Sequence, residues 1–324
     1  MEWLEQTQAW QAAMGVIERQ SKPKVSEFDA DWAQAFINLH SKEINKAVSH
    51  YTGLPGEAPR FMVVNDYRLY LKARLKGYSP TELNGPYSAE LGRLIGNNAT
   101  DIGGEYLDSS GTVALFAPKL FDKAGRSRLR QEALLFTVGA HEATHHKVRQ
   151  NITWLPRYRK RLAEAVNAMD ISSPAQAALD AAERTSIMSV LTVLSQFEEG
   201  YADDISWRAS REAGKQNLLD PEKTNLTVDE LQADTLTKVH LSHYREGLEI
   251  LNRARGDVNA THWLWRDPPR ARVLHDPAQW PVASMLSSRS QSPEPEVFSA
   301  SLKSQVPPWF VSNAASGGRR TKLG

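Results

Sequence analysis

Five consecutive residues, His141-Glu142-Ala143-Thr144-His145, have the types and spacing to do chemistry. On an α-helix, positions i and i+4 share a face, one turn apart. Two imidazoles so placed can bind one zinc ion. The glutamate between them then sits where it can take a proton from water beside the metal. The preceding run, Leu134-Leu135-Phe136-Thr137-Val138-Gly139-Ala140, is largely apolar, so the helix is buried as it reaches the motif. A buried helix has little reason to carry His141, Glu142, His145 and His146 together unless they serve a site.

Two histidines do not complete a catalytic zinc site, which takes three protein ligands and keeps a position for water. The chain has no cysteine, so the third ligand must be His, Asp or Glu. The clearest candidate stands 54 residues after His145, in Phe197-Glu198-Glu199-Gly200-Tyr201-Ala202-Asp203-Asp204. Glu199 and Asp203 are at i and i+4. One carboxylate can bind the metal, and the other can accept the outer N–H of a ligating imidazole and fix its tautomer. Glu198 competes with Glu199, because one residue turns a helix by about 100°. Glu199 is preferred because Asp203 completes its i+4 pair. Further on, Lys238-Val239-His240-Leu241-Ser242-His243-Tyr244 offers donors for a developing oxyanion, with His240 and Tyr244 on one face.

These two motifs together resemble the gluzincin metallopeptidases, over about 70 residues and at the level of the clan. The resemblance implies that His141, His145 and Glu199 bind Zn²⁺, that Glu142 is the general base, and that Asp203 orients a histidine. It implies a downstream His or Tyr, here His240 or Tyr244, as transition-state donor. It also implies a sheet beside the active helix, with an edge strand that pairs with substrate backbone. Thr112 to Ala117 is the natural choice for that strand. The metzincin extension is absent: His145 is followed by His146-Lys147-Val148-Arg149-Gln150-Asn151.

The elements that must hold these residues follow from hydrophobic period and punctuation. Trp3, Trp10, Met14 and Ile17 fit one helical stripe. Phe28, Trp32, Phe36, Leu39, Ile44, Val48 and Tyr51 fit a second, ended by Gly53 and Pro55. Phe61 to Val64 reads as a strand, Tyr67 to Leu75 as strand or helix, and Tyr87 to Ile95 as a helix stopped by Gly96. Glu105 to Leu107 and Thr112 to Ala117 read as a β-hairpin. Three long helices follow. The first covers Ser127 to Gln150. The second is preceded by Ser172-Ser173-Pro174, is open to interruption near Thr185, and is capped by Gly214. The third opens on a capping box at Thr227 to Glu230 and runs to about Arg253.

The expected fold class is α+β, mostly α: a zincin-like domain at 61–266 with a small sheet beside the active helix. Residues 1–60 form a helical segment packed on it, and 267–324 a Pro- and Ser-rich tail. Among 324 residues, 39 Lys+Arg balance 38 Asp+Glu, so no global field draws the chain to nucleic acid. No run approaches the roughly 18 apolar residues of a membrane span. The opening MEWLEQTQAW lacks the charged and apolar regions of a signal peptide, which predicts a cytoplasmic protein or export without a cleaved signal. Lys119, Lys123, Arg126, Arg128, Arg130, Lys147, Arg149, Arg157, Arg159, Lys160 and Arg161 form a local basic cluster. The function expected is zinc-dependent hydrolysis of a protein or peptide substrate, without membrane or nucleic-acid partners. The alternative is a non-catalytic zinc or regulatory protein touching nucleic acid through the cluster at 119–161.

Overall fold

A computed structural model of the chain describes residues 2–101, 103–108, 110–155, 174–238 and 242–253. The expected tail, Arg157, Arg159, Lys160, Arg161 and His240 lie outside these residues. The chain gathers into two compact units, Met1–Gln150 with Glu199–Arg245, and Asn151–Glu198 with Glu246–Gly324. In the second, Ile187, Val190, Leu191, Leu194, Phe197, Leu248 and Leu251 are buried. Among the described residues, no helix is long and apolar enough to cross a membrane.

The fold is mostly helical with one small mixed sheet, as expected for the α+β class. After a short α1 (Glu2–Glu5), α2 spans Gln8–Gln20, where Thr7 accepts a hydrogen bond from the Trp10 amide. Helix α3 (Glu27–Thr52) starts at Ser26, whose hydroxyl accepts from the Asp29 amide, and stops at Gly53 in the left-handed region. Their stripes are narrower than the sequence suggests. Trp10, Ile17, Phe36, Ile44 and Val48 are buried, but Trp3, Phe28 and Leu39 face outward. Trp32 is covered instead by the Arg128 guanidinium, 3.8 Å from its ring centroid.

Strand β1 (Arg60–Val64) pairs in parallel with β3 (Thr112–Phe116), and β2 (Gly104–Leu107) pairs antiparallel with β3, giving the order β1-β3-β2. The expected hairpin is present, but Thr112 to Phe116 is the central strand and β2 an edge. Pairing across about fifty positions to Arg60–Val64 leaves no local trace in sequence. Val113 to Phe116 are fully buried, as a strand covered on both faces requires.

Alternate side chains divide the sheet. Leu107, Ala114 and Phe116 join a core cluster with Trp10, Ala13 and Ile17 of α2 and with Tyr67, Tyr70, Leu71 and Leu75. The last four lie on α4 (Tyr67–Leu75), which settles that segment as a helix, started by the Asp66 carboxylate on the Arg68 amide. On this face the Tyr70 hydroxyl donates to Glu105, whose other oxygen is 3.2 Å from Arg74 Nε. After α5 (Pro80–Asn84), α6 (Ser88–Asp101) continues through Gly96. Glycine serves there as a contact surface: a Cβ on Gly92 would strike the Ala9 carbonyl oxygen, and one on Gly96 would lie 2.8 Å from that of Ala13.

Helix α7 (Ala117–Ala124) leads through Gly125 into α8 (Arg128–Asn151), which carries the histidines on the opposite sheet face. There Gly104 meets Val138 and Glu142, and Tyr106 meets the His146 ring edge to face. Helix α9 (Pro174–Lys215) is continuous through Thr185 and passes Gly214, where a Cβ would sit 3.4 Å from Pro221. Helix α10 (Pro221–Thr237) begins six residues before the predicted capping box. Asp220 caps it, accepting from the Lys223 amide at 2.8 Å, and Pro221 supplies the favoured first residue. Thr227 is buried inside the helix. The expected third helix is thus two, the other being α11 (Ser242–Arg253).

Candidate metal centre

The site is assembled in the first unit from α8, α9 and the start of α11. Apolar residues seat α8: Leu134, Leu135, Phe136, Ala140, Ala143 and Val148 are buried. Gly139 lets it approach Ile37 and Ile44 of α3, 3.2 and 3.3 Å from where its Cβ would be. Buried hydroxyls of Thr137 and Ser210, 2.8 Å apart, join α8 to α9. With both helices fixed, His141 and His145 present one face to Glu199 and Asp203.

The geometry is convergent. His141 Nε2 is 3.1 Å from His145 Nε2 and 3.3 Å from Glu199 Oε2, and His145 Nε2 is 3.4 Å from the same oxygen. These three residues form a group that could hold a metal ion. His141 Nδ1 is 3.0 Å from Asp203 Oδ1. A carboxylate only accepts, so Nδ1 carries the proton and, in the neutral ring, the Nε2 lone pair points at the cluster. The other oxygen, Asp203 Oδ2, accepts from the Thr235 hydroxyl at 3.1 Å.

Glu142 is buried one residue along from His141, under Gly104, whose Cβ would lie 3.0 Å from its Cγ. Tyr244 brings its ring centroid to 6.0 Å from that of His141 and hydrogen-bonds Glu199. Glu199, not Glu198, supplies the converging carboxylate. His146 faces elsewhere, with Nε2 3.1 Å from the Glu57 carbonyl oxygen and its ring against Tyr106. Asp204 pairs with Arg208 at 3.0 Å. Sequence reasoning had no means to find Thr235 or the cover that Gly104 gives Glu142. Neither belongs to a motif, and both arise from long-range packing.

Electrostatics reflect burial and mutual charge. Burial opposes the charged form of His141, but hydrogen bonds to Asp203 and Glu199 override it and hold the imidazole well above the usual histidine range. Burial also opposes ionisation of Glu199, yet the charge of His145 and hydrogen bonds from both histidines hold it well below the carboxylate range. Burial raises Glu142; the two histidines pull it down, while Glu199 and Glu105 push it up. Burial, then the carboxylates of Glu199, Asp203 and Glu142, keep the Tyr244 phenol well above its ordinary value.

Four members of the basic cluster are tied into the fold. Arg128 pairs with Asp29 at 2.6 Å, Arg130 with Glu230 at 2.5 Å and Lys123 with Asp234 at 2.8 Å. Lys147 is 1% exposed and donates to the Gly56 carbonyl. The three ion pairs link helices, and Lys147 ties α8 to the loop before β1.

No protein-family model and no curated protein matches the chain. Among solved structures, it is similar to a Chloroflexus aurantiacus protein described as a "putative hydrolase with a novel fold". The match has a TM-score of 0.54 at 20% identity and covers 87% of this chain and 98% of that one. At that identity the likeness is one of fold.

Proposed function

We propose that this chain is a hydrolase, and specifically a zinc-dependent metallopeptidase of the gluzincin kind. One observation carries the reading. Ligand atoms about 2.0–2.1 Å from a tetrahedral zinc stand about 3.3 Å from one another. The three donor atoms here are separated by 3.1, 3.3 and 3.4 Å. The donor set also fits: two imidazoles and a carboxylate, with Asp203 fixing one tautomer. Glu142, Glu199 and Asp203 place three carboxylates in a buried region, a charge that a divalent cation offsets. A closed structural zinc takes four protein ligands, whereas three converge among the described residues.

In this reading His141 and His145 bind through Nε2 and Glu199 through Oε2. Zinc held there supplies a Lewis acid that polarises the scissile carbonyl and makes water a nucleophile near neutral pH. Glu142 accepts the proton of the attacking water and passes it to the leaving amine. Its burial beneath β2 raises its proton affinity toward that task. Tyr244, kept protonated, turns its O–H from Glu199 to the developing oxyanion. A substrate peptide extends the sheet along β2, the edge that lies over Glu142.

The test is metal content beside hydrolysis. Wild-type protein purified with zinc should contain one ion per chain and cleave unfolded casein until a chelator is added. Glu199→Ala should lose both properties. A zinc-free wild type, or full occupancy in Glu199→Ala, would defeat the assignment.

A further inference from the structure

Asp203 must present one oxygen to His141 while its carboxylate is free to rotate about the side chain. Its two oxygens have separate partners: Oδ1 is 3.0 Å from His141 Nδ1, and Oδ2 accepts from the Thr235 hydroxyl at 3.1 Å. Thr235 lies on α10, 32 residues beyond Asp203, and is buried. Its hydroxyl is directed at Asp203, and it comes from an element that carries none of the proposed metal-binding donors.

The same turn of α10 is braced on both sides. Asp234, the preceding residue, takes Lys123 Nζ of α7 on one carboxylate oxygen and Lys238 Nζ on the other, each at 2.8 Å. One turn earlier, Glu230 pairs with Arg130 of α8, the helix that carries the histidines. Arg245, beside Tyr244, donates to the Leu236 carbonyl at 3.1 Å. These contacts tie the segment around Thr235 to α7, α8 and the start of α11. A hydroxyl supported from neighbouring elements can set the orientation of another side chain.

We propose that Thr235 is a positioning residue of the metal centre: by holding Asp203 Oδ2 it turns Oδ1 onto His141 Nδ1 and so aims His141 Nε2 at the metal. The proposal rests on the metal-centre reading for its zinc consequence but not for the Asp203–His141 hydrogen bond itself. Without the hydroxyl, Asp203 Oδ2 loses a buried donor and the carboxylate can swing away from the ring. The effect on the metal is indirect, so it should fall below the roughly 10–100-fold seen when a direct partner of a ligating histidine is removed.

Thr235→Val keeps shape and volume and deletes the donor, whereas Thr235→Ser keeps the donor. Zinc affinity, measured by competition with a chelator at one pH, should fall about 3–10-fold in Thr235→Val and stay within about twofold of wild type in Thr235→Ser. In an Asp203→Ala background, Thr235→Val should add nothing, because the residue through which it acts is gone. Equal losses in the two Thr235 variants, or losses that add to Asp203→Ala, would overturn the proposal. A wild type that holds no zinc defeats the metal reading alone. The Thr235 role is then decided by the His141 ring ¹H–¹⁵N spectrum of the metal-free protein. Thr235→Val should move the Nδ1–H resonance and speed its exchange with water, with the wild-type spectrum restored in Thr235→Ser. An unmoved resonance rejects the role. If Thr235→Val does not fold, the same resonance in Thr235→Ser and Thr235→Cys decides, a wild-type spectrum in both rejecting the need for the oxygen donor.

Discussion

At the scale of single residues, neighbours in sequence play separable parts. Glu142 lies beside His141 but is not among the three residues whose donor atoms converge. Glu142→Gln should therefore keep zinc and the melting temperature while losing about 10²–10⁴ in turnover, since the amide cannot take the water proton. Unchanged turnover on casein would remove Glu142 from the reaction. Asp203 and Asp204 give a second contrast. They are adjacent, and both are negative, but Asp203 holds the His141 ring while Asp204 pairs with Arg208. Asp203→Ala should weaken zinc about 10–100-fold. Asp204→Ala should alter it by less than about twofold, because a carboxylate already paired with Arg208 contributes little field at the cluster. Chelator competition on the two variants separates a specific hydrogen bond from a general effect of charge. Equal losses would reject the specific role.

At the scale of elements, small residues decide how closely the supports of the site can approach. Helices α2 and α6 meet through Gly92 and Gly96, where any side chain would strike the backbone of α2. Ala9 and Ala13 lie opposite and belong to the buried core, so α2 cannot retreat without uncovering Trp10 and Ile17. Gly96→Ala should lower stability by about 1–3 kcal/mol, the usual range for overpacking a tight contact. Thermal unfolding measures it, and an unchanged midpoint would show that the helices can separate freely. Zinc affinity should be unaffected, since neither helix carries a ligand. Helix ends follow the same local logic. The Asp220-Pro221 pair outcompetes the later Thr227 box because a capping carboxylate and a proline at the first position both favour that start.

At the scale of the whole molecule, the candidate metal centre joins helices that the chain keeps far apart in sequence. Glu199 follows His145 by 54 residues and Tyr244 follows Glu199 by 45. An ion that binds only the folded chain stabilises it by about 2.7 kcal/mol when free ligand is a hundredfold above its dissociation constant. Zinc should thus raise the melting temperature of the wild type by several degrees, with no rise in His141→Ala. A midpoint indifferent to zinc in the wild type would contradict a centre that bridges α8 and α9.

The sequence by itself determined the parts whose signals are local. Helical period placed His141 and His145 on one face, and the same spacing paired Glu199 with Asp203. Gly53 ended α3, and the runs Glu105 to Leu107 and Thr112 to Ala117 marked the hairpin. These are interactions within one or two turns of chain, so residue type and spacing suffice to read them. Tertiary structure alone decided the rest. It set β3 at the centre of the sheet by pairing it with β1, and thereby made β2 the edge over Glu142. It brought the Glu199 carboxylate and Tyr244 to the histidines, and delivered the Thr235 hydroxyl to Asp203. Strand order and side-chain convergence depend on contacts between residues tens of positions apart. Local propensity carries no record of them, because burial in the common core, and not any single segment's preference, selects which distant faces meet.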